Sequence, residues 1–145
     1  MSTPTINRAE PGDLDPLLTL IQEFYTIDHH DYDEALLKNS LPGLLDSDEF
    51  GLVWKLGSPA EGYAVVTWGY SLESGGREAL IDEIYLRERS TGSGSRLMSY
   101  ILEDCRHRGI VRVFLETESH NVRVREFYRR AGFEEDDSVW MSMRL

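Results

Sequence analysis

The sequence predicts an α/β (α+β) domain built on a mixed β-sheet. The chain has 145 residues, of which 41% are apolar, and this length suits one domain with one core, over residues 1–145. Runs rich in β-branched and aromatic residues, separated by Gly- and Pro-containing turns, predict an antiparallel meander. A strand, helix and strand then follow within residues 79–116, and a crossover of that length makes the two strands parallel.

The N-terminal part predicts a short strand at Ile6 and then two helices. Asp13 can cap the first helix, whose apolar residues from Leu14 to Tyr25 recur at helical spacing and form one buried face. The second helix is predicted over residues 32–45. The connection between them, TIDHHDYD, is interpreted as solvated or as a wall of an acceptor site. A metal site there, formed by Asp28, His29, His30 and Asp31, is the weaker alternative, because adjacent residues on an irregular segment rarely all point at one ion.

The meander is predicted over residues 51–56, 62–71 and 79–86, and its aromatic side chains are interpreted as sheet packing. The helix that follows carries Cys105 on its apolar face, so this thiol is interpreted as a core residue rather than a nucleophile. A strand over residues 111–116 comes next. Asn121 can cap a last helix that ends at Gly132, and a final strand is predicted over residues 139–145.

The charge balance bears on the partners of the protein. Fifteen Lys and Arg residues against 26 Asp and Glu residues give a formal net charge of -11. Such a chain repels nucleic-acid phosphates and anionic lipid. The same field would favour a cationic acceptor such as an amine, although acidity this general more often serves solubility alone. No long apolar run and no leader-like N-terminus is found, so we expect a soluble, cytoplasmic protein.

A phosphate-binding turn is predicted within residues 80–98, LIDEIYLRERSTGSGSRLM. A helix that begins at Gly92 or Gly94 presents unpaired N–H groups and the positive end of its dipole, which attract phosphate oxygens. The Rossmann fingerprint fails because Leu97 stands where Gly or Ala is needed, and the Walker Gly-Lys-Ser/Thr is absent. The pattern Arg89-x-x-Gly92-x-Gly94 instead resembles the pyrophosphate motif of the GNAT superfamily of N-acetyltransferases.

A second motif downstream strengthens this resemblance. It is similar to the N-x-x-A-x-x-F/L-Y-x-x-x-G-F signature of the same superfamily, with Val124 at the usual Ala position, and its residues are Asn121, Val124, Phe127, Tyr128, Gly132 and Phe133. The match extends over nearly the whole chain. It implies a sheet with helices on both faces, in which two parallel central strands splay apart around the pantetheine arm of acetyl-CoA.

The resemblance also implies the chemistry, which is transfer of an acetyl group from acetyl-CoA to an amine. Direct attack in a ternary complex is predicted, because the sequence offers no credible covalent nucleophile. Tyr128 would be the general acid for the CoA thiolate, although it could instead simply pack like Phe127. Glu83 is the favoured base, with Asp82 on the other face of the strand. Glu116, Glu118 or solvent remain alternatives for the base.

For the cofactor, the resemblance implies contacts with main-chain amides, arginines and the last helix. The predicted cofactor-binding residues are Ile84, Tyr85, Leu86, Arg89, Thr91, Gly92, Ser93, Gly94, Ser95, Arg96, Asn121 and Phe127. The loop before the glycines is shorter and more polar than the family pattern, which leaves open which arginine meets the phosphates.

Tyr32 and Tyr70 are the candidates for acceptor binding. The alternative function is a non-catalytic acyl-CoA-binding or regulatory domain, and a homodimer through exposed sheet edges is also expected.

Overall fold

The computed structural model describes residues 3–89, 91–118 and 120–145. A 3-10 turn, Pro11–Asp13, precedes the first helix. The other elements in order are β1 (Ile6–Arg8), α1 (Leu14–Ile27), α2 (Glu34–Ser40), α3 (Pro42–Leu45), β2 (Gly51–Leu56), β3 (Gly62–Ser71), β4 (Gly76–Leu86), α4 (Ser93–His107), β5 (Arg112–Leu115) and α5 (Val122–Arg130). In these residues the five strands form one sheet in the order β1-β2-β3-β4-β5. β1 to β4 are antiparallel neighbours and β5 is parallel to β4, which confirms the predicted mixed sheet.

Helices cover both faces of this sheet, as predicted. On one face, α1 to α3 bury a cluster that includes Leu17, Leu20 and Tyr63. On the other face, α4 and α5 bury a second cluster around Leu97 and Ile101. In the residues described, no helix has the length and apolar character needed to cross a bilayer.

The second predicted helix is divided in two at Pro42. Helix α2 ends at Ser40, and Pro42 opens α3 as its first residue. Proline lacks the N–H that a helix interior requires but fits the first turn, so a new helix begins there. The predicted bounds of β2 and β3 are confirmed.

The prediction of a strand over residues 139–145 is wrong. The structure assigns no strand after β5 in the residues it describes, and this segment is exposed throughout. A strand exists only when its main-chain groups pair with a neighbour. These residues pair with no strand of the described chain, so the β-like sequence pattern alone does not produce one.

A β-bulge divides β4 at Asp82. Val65 of β3 is registered with Glu83 and Val66 with Ile81, so Asp82 has no partner of its own. Such an extra residue resets the alternation of side chains along a strand. Ile81 therefore packs in the cluster under α4, whereas Glu83 lies on the opposite face, beside α1. In a regular strand these two side chains would share one face.

Candidate active site

An opening separates β4 from the end of β5. The two strands pair from Glu78 with Arg112 to Ile81 with Leu115. There β5 ends, but β4 continues to Leu86. Beyond Ile81, the side of β4 that faces away from β3 is paired with no strand of the residues that the structure describes. This arrangement agrees with the splayed central strands that the resemblance implied.

Main-chain groups of β4 point into this opening. Arg87 N donates to Glu61 O at 3.0 Å, which marks these two residues as a hydrogen-bonded pair of the β3–β4 ladder. Hydrogen-bonded pairs alternate with non-hydrogen-bonded pairs along an antiparallel ladder, so Tyr85 and its partner Tyr63 form the next hydrogen-bonded pair. The N–H groups of Ile84 and Leu86 consequently face away from β3, toward the opening.

Glu83 occupies the α1 side of the opening and accepts two short hydrogen bonds. The hydroxyl of Tyr25 donates to one carboxylate oxygen at 2.6 Å, and the hydroxyl of Tyr63 donates to the other at 2.7 Å. Burial raises the pKa of Glu83, while the two phenol hydrogen bonds lower it in part. The net effect is a raised pKa, which suits a carboxylate that takes up a proton.

The two phenols are held in the protonated form. Burial and the negative charge of Glu83 raise the pKa values of Tyr25 and Tyr63. Tyr32 lies edge-on to Tyr25, with ring centroids 6.3 Å apart, and His30 contacts the same ring at 5.9 Å. The segment between α1 and α2 therefore contacts the ring of Tyr25, whose hydroxyl is bonded to Glu83.

Tyr128 lies on the opposite side of the sheet from Glu83. It is buried in the cluster under α4 and packs edge-on against Phe127 and Phe133. Burial raises the pKa of Tyr128, and the positive charge of Arg89 partly lowers it. The phenol is therefore neutral near pH 7 and can donate a proton.

The first turn of α4 begins at the same opening. Gly92 caps the helix with a φ of 83°, a left-handed conformation that favours glycine. A Cβ at Gly94 would lie 3.2 Å from Leu86 Cδ1 and 3.4 Å from the ring of Phe127, so the turn contacts both neighbouring elements closely. Ser93 N donates to Thr91 Oγ1 at 3.4 Å. Arg96 N donates to Gly92 O at 3.2 Å and closes the turn, whereas the N–H groups of Gly94 and Ser95 precede the first helical hydrogen bond and have no acceptor within the helix.

The arginines near this turn have different partners. Arg96 donates to Pro4 O at 3.1 Å. Arg87, which the sequence did not single out, forms a two-pronged ion pair with Glu23 at 2.9 Å. Arg89 is exposed and lies close enough to Tyr128 to affect its pKa. Of the three, Arg89 is the guanidinium best placed to meet an anion beside the turn; Ser90, the next residue, lies outside the described residues.

A groove of about 290 Å³ runs between α4 and α5, close to the same turn. Ser95 and Phe127, both predicted to contact the cofactor, lie in its wall together with Arg130, which the sequence analysis did not select. At the start of α5, Asn121 is held as a helix cap because its side chain accepts from Val124 N at 3.3 Å. The groove therefore lies between the helix that follows the first motif and the helix that carries the second.

Two predicted residues do not reach the opening. Tyr85 turns its ring to the α1 side, where it stacks on Phe24 at 5.5 Å, and its main-chain groups pair with β3. Tyr70 is registered with Arg77 and lies about 20 Å along β4 from Glu83. Gly94 lies against Leu86 and Phe127, and Ser95 and Phe127 line the groove between α4 and α5.

Sequence reasoning missed the roles of Tyr25 and Tyr63. Tyr25 was interpreted as part of the apolar face of α1, and Tyr63 as sheet packing. The register of β3 on β4, with its bulge at Asp82, brings the Tyr63 hydroxyl to Glu83, and the packing of α1 on this face of the sheet brings the Tyr25 hydroxyl. No local pattern in the sequence signals that register.

The remaining candidates for chemistry have structural surroundings. Cys105 is buried, and burial raises the pKa of its thiol to about 11, which keeps it neutral. His30 Nε2 lies 2.7 Å from the carboxylate of Asp28. Among the residues described, no group of three or more His, Cys, Asp or Glu side chains is arranged to hold a metal ion.

Known proteins that share this fold include several acetyltransferases. The family model for the acetyltransferase (GNAT) family matches residues 14–133. An integron cassette protein from the mobile metagenome of Cole Harbour Salt Marsh is similar, with a TM-score of 0.85 and 27% identity, over 97% of this chain and 90% of that one. An aminoglycoside acetyltransferase from an uncultured soil metagenomic sample, solved with sisomicin, has a TM-score of 0.80 and 17% identity, over 99% and 97% of the two chains.

The structure of AAC(6')-Iy with the bisubstrate analog CoA-S-monomethyl-acetylneamine also shares the fold. Its TM-score is 0.83 at 14% identity, and the similarity covers 99% of both chains. A search of curated proteins found no match. The family model covers most of the sequence and both predicted motifs, so the chain belongs to the GNAT family of acetyltransferases.

Proposed function

We propose that this protein is an N-acetyltransferase that transfers the acetyl group of acetyl-CoA to an amine by direct attack in a ternary complex. One observation carries the proposal. The opening beside β4 has a hydrogen-bonded carboxylate, Glu83, on one face of the sheet and a neutral phenol, Tyr128, on the other. A group that passes through the opening would have a proton acceptor at one end and a proton donor at the other.

The residues around the first turn of α4 fit the diphosphate of CoA. The turn combines free N–H groups, a left-handed glycine at Gly92 and a close approach at Gly94. Arg89 supplies a positive charge beside it. Asn121 and Phe127 would line the path of the pantetheine, and Arg130 would meet the cofactor at the groove between α4 and α5. Acetyl-CoA supplies an acetyl thioester, whose carbonyl carbon is open to attack by an amine.

The N–H groups of Ile84 and Leu86 are suited to polarise that thioester. They point into the opening, and an N–H of this kind donates to the carbonyl oxygen as its negative charge grows. Their position on a strand held by β3 keeps them oriented before the reaction begins. This part of catalysis needs main-chain geometry and no particular side chain.

Glu83 and Tyr25 are suited to remove the proton of the attacking amine. Both oxygens of Glu83 already accept phenol hydrogen bonds, so the amine can transfer its proton to the oxygen of Tyr25 while Tyr25 passes its own proton to Glu83. Tyr63 holds the other carboxylate oxygen in place. The new N–C bond forms as the C–S bond breaks, and Tyr128 donates its proton to the departing thiolate.

The acceptor side of the opening favours a cationic amine. Asp82 is exposed beside Glu83, and the chain carries a formal net charge of -11. Tyr25 and Tyr32 add aromatic rings, which attract cations. An acceptor with further positive charges beyond the reacting amine would therefore bind better than a neutral amine of the same size.

The test is release of CoA thiol from acetyl-CoA with a panel of amines, in which diamines and polyamines are paired with neutral amines of equal length. We expect amine-dependent thiol release, faster for the polycations, that Glu83→Gln and Tyr128→Phe each strongly reduce. Tyr100→Phe, which removes a phenol on the outer surface of α4, is the matched control and should react normally. Binding of CoA by calorimetry, without thiol release for any amine, would instead indicate the non-catalytic acyl-CoA-binding domain.

A further inference from the structure

The end of α1 turns the chain back over the last residues of the helix. Asp28 N donates to Phe24 O at 2.9 Å and ends the helix. His29 then takes a left-handed conformation, with a φ of 57°, and His30 N donates to Tyr25 O at 2.9 Å. A left-handed residue followed by such a bond is the Schellman ending of a helix. This turn brings His30 back to Tyr25.

The imidazole of His30 contacts both Tyr25 and Asp28. The rings of His30 and Tyr25 meet edge-on, with centroids 5.9 Å apart and an angle of 70° between their planes. His30 Nε2 lies 2.7 Å from a carboxylate oxygen of Asp28. A protonated imidazole at this distance forms an ion pair with the carboxylate, and that pair orients the ring. His30 is therefore a packing partner of Tyr25 and, when protonated, a positive charge beside it.

Glu83 is faced by charged and titratable groups from four parts of the chain. The hydroxyl of Tyr25, on α1, and that of Tyr63, on β3, each donate to its carboxylate. The other two groups are Asp82, the preceding residue of β4, and His30, in the segment between α1 and α2. Burial and the negative charge of Asp82 raise the pKa of Glu83, whereas the two hydrogen bonds and the positive charge of His30 lower it. His30 thus counters Asp82.

We propose that His30 is a positioning residue for acetyl transfer. Its ring holds Tyr25 on Glu83, and its charge keeps the Glu83 carboxylate ready to take up the amine proton that Tyr25 passes on. This role rests on the proposed function, in which Glu83 is the base. The ion pair of His30 with Asp28 has no net charge, so it does not repel a cationic acceptor.

Two substitutions separate the ring from the charge. Phenylalanine keeps a ring against Tyr25 but carries no charge, and alanine provides neither. Histidine is protonated in mildly acidic solution, which is where a carboxylate with a raised pKa ionises, so the charge is present when Glu83 titrates. His30→Phe should therefore raise the pH at which Glu83 ionises and keep the alkaline rate. His30→Ala should raise that pH as well and lower the rate at every pH.

The first measurement is a ¹³C NMR titration of the Glu83 carboxyl carbon, identified by the signal that Glu83→Gln lacks. In His30→Phe its midpoint should rise by about half a pH unit, the size of an effect from an exposed charge that water screens. His107→Phe is the matched control, because His107 is also exposed and lies 3.4 Å from the carboxylate of Glu103, on α4. It should leave the midpoint unchanged.

The second measurement is thiol release from acetyl-CoA across the pH range, with the best acceptor of the amine panel. The acid limb of the kcat profile should move up in His30→Phe by about the same half unit, and the wild-type rate should return at alkaline pH. In His30→Ala the alkaline rate should also fall by about two- to tenfold, which corresponds to the loss of one aromatic contact. His107→Phe should follow the wild-type profile.

Two results would overturn the role of His30. One is a Glu83 midpoint that is equal in wild type and His30→Phe, or that shifts as much in His107→Phe. The other is an acid limb that stays in place while the midpoint moves. A midpoint that shifts as expected, in a protein that releases thiol with no amine, would instead refute the proposed function and leave the contact of His30 with Glu83 supported. If circular dichroism shows His30→Phe to be misfolded, His30→Gln, which is also neutral, provides the same titration.

Discussion

Removing the hydroxyl of Tyr63 should shift the pH dependence of acetyl transfer without removing the activity. Tyr63 donates to Glu83 at 2.7 Å and thereby stabilises the ionised carboxylate. A base must be ionised to accept a proton, so activity is present above the pKa of Glu83 and lost below it. In Tyr63→Phe that pKa rises, because one donor to the charged form is gone while burial still opposes the charge.

The size of the shift follows from the strength of the lost hydrogen bond. A hydrogen bond to a charged group contributes about 1.5 to 3 kcal/mol, and about 1.4 kcal/mol corresponds to one pH unit. The midpoint of the acid limb of the kcat profile should therefore move up by about 1 to 2 pH units. At alkaline pH the variant should recover the wild-type rate, because Tyr63 holds Glu83 but does not carry the proton.

Tyr25→Phe distinguishes a proton carrier from a positioning residue. Tyr25 also donates to Glu83, at 2.6 Å, but it stands between the carboxylate and the amine in the proposed relay. Its variant should show a similar shift and a lower rate at every pH. Tyr85→Phe is the control, because the Tyr85 hydroxyl lies 3.5 Å from Glu23 instead.

The assay is thiol release from acetyl-CoA at saturating amine, measured across the pH range in which the wild type remains folded. An acid limb that stays in place in both Tyr63→Phe and Tyr25→Phe would remove Glu83 from the role of base. The same holds if Tyr85→Phe shifts the limb as much as Tyr63→Phe does, since the effect would then not depend on the hydrogen bond to Glu83.

Three further predictions concern the other parts of the site. Tyr128→Phe should lower kcat by about 100 to 10,000-fold and leave the calorimetric affinity for acetyl-CoA unchanged, and a normal kcat would show that Tyr128 only packs. Because the pKa of Glu83 is raised in the folded state, wild-type stability falls as the pH rises from 4.5, the ordinary pKa of a glutamate, through the folded-state pKa. Glu83→Gln lacks this loss, so its melting temperature relative to wild type should increase with pH. A difference that does not depend on pH would contradict a raised pKa of Glu83. The added side chain in Gly94→Val would contact Leu86 and Phe127, and the variant should bind acetyl-CoA about tenfold more weakly or worse. Gly12→Val is the control, because no atom lies within 4 Å of the added carbon, and it should bind normally. Equal affinities of the two variants would place the cofactor elsewhere.

Much of the architecture could be predicted because its signals are local. The spacing of apolar residues from Leu14 to Tyr25 identified α1, and turn residues fixed the bounds of β2 and β3. The break at Pro42 was accessible to the same reasoning, since proline is unfavourable inside a helix. The final strand failed because a strand depends on a neighbour, which the alternating pattern of residues 139–145 does not provide.

The candidate site could be predicted in part for a related reason. The two motifs identified the turn at Gly92 and the phenol of Tyr128, both of which are specified by short stretches of sequence. The contact of Tyr63 with Glu83 depends on which residue of β3 faces which residue of β4, and that of Tyr25 depends on how α1 packs on the sheet. That register includes a bulge, and one extra residue in a strand changes every contact beyond it.

The bulge at Asp82 also determines which changes of length β4 can accept. Deleting Asp82 would leave Ile81 under α4 and Glu83 beside α1, because each half of the strand keeps its own alternation. Deleting Ile84 would instead exchange the surroundings of all residues beyond it, and the ring of Tyr85 would meet the apolar cluster under α4. Among homologous chains, length variation within this strand should therefore concentrate at the position of Asp82, while the residues on either side keep a constant spacing.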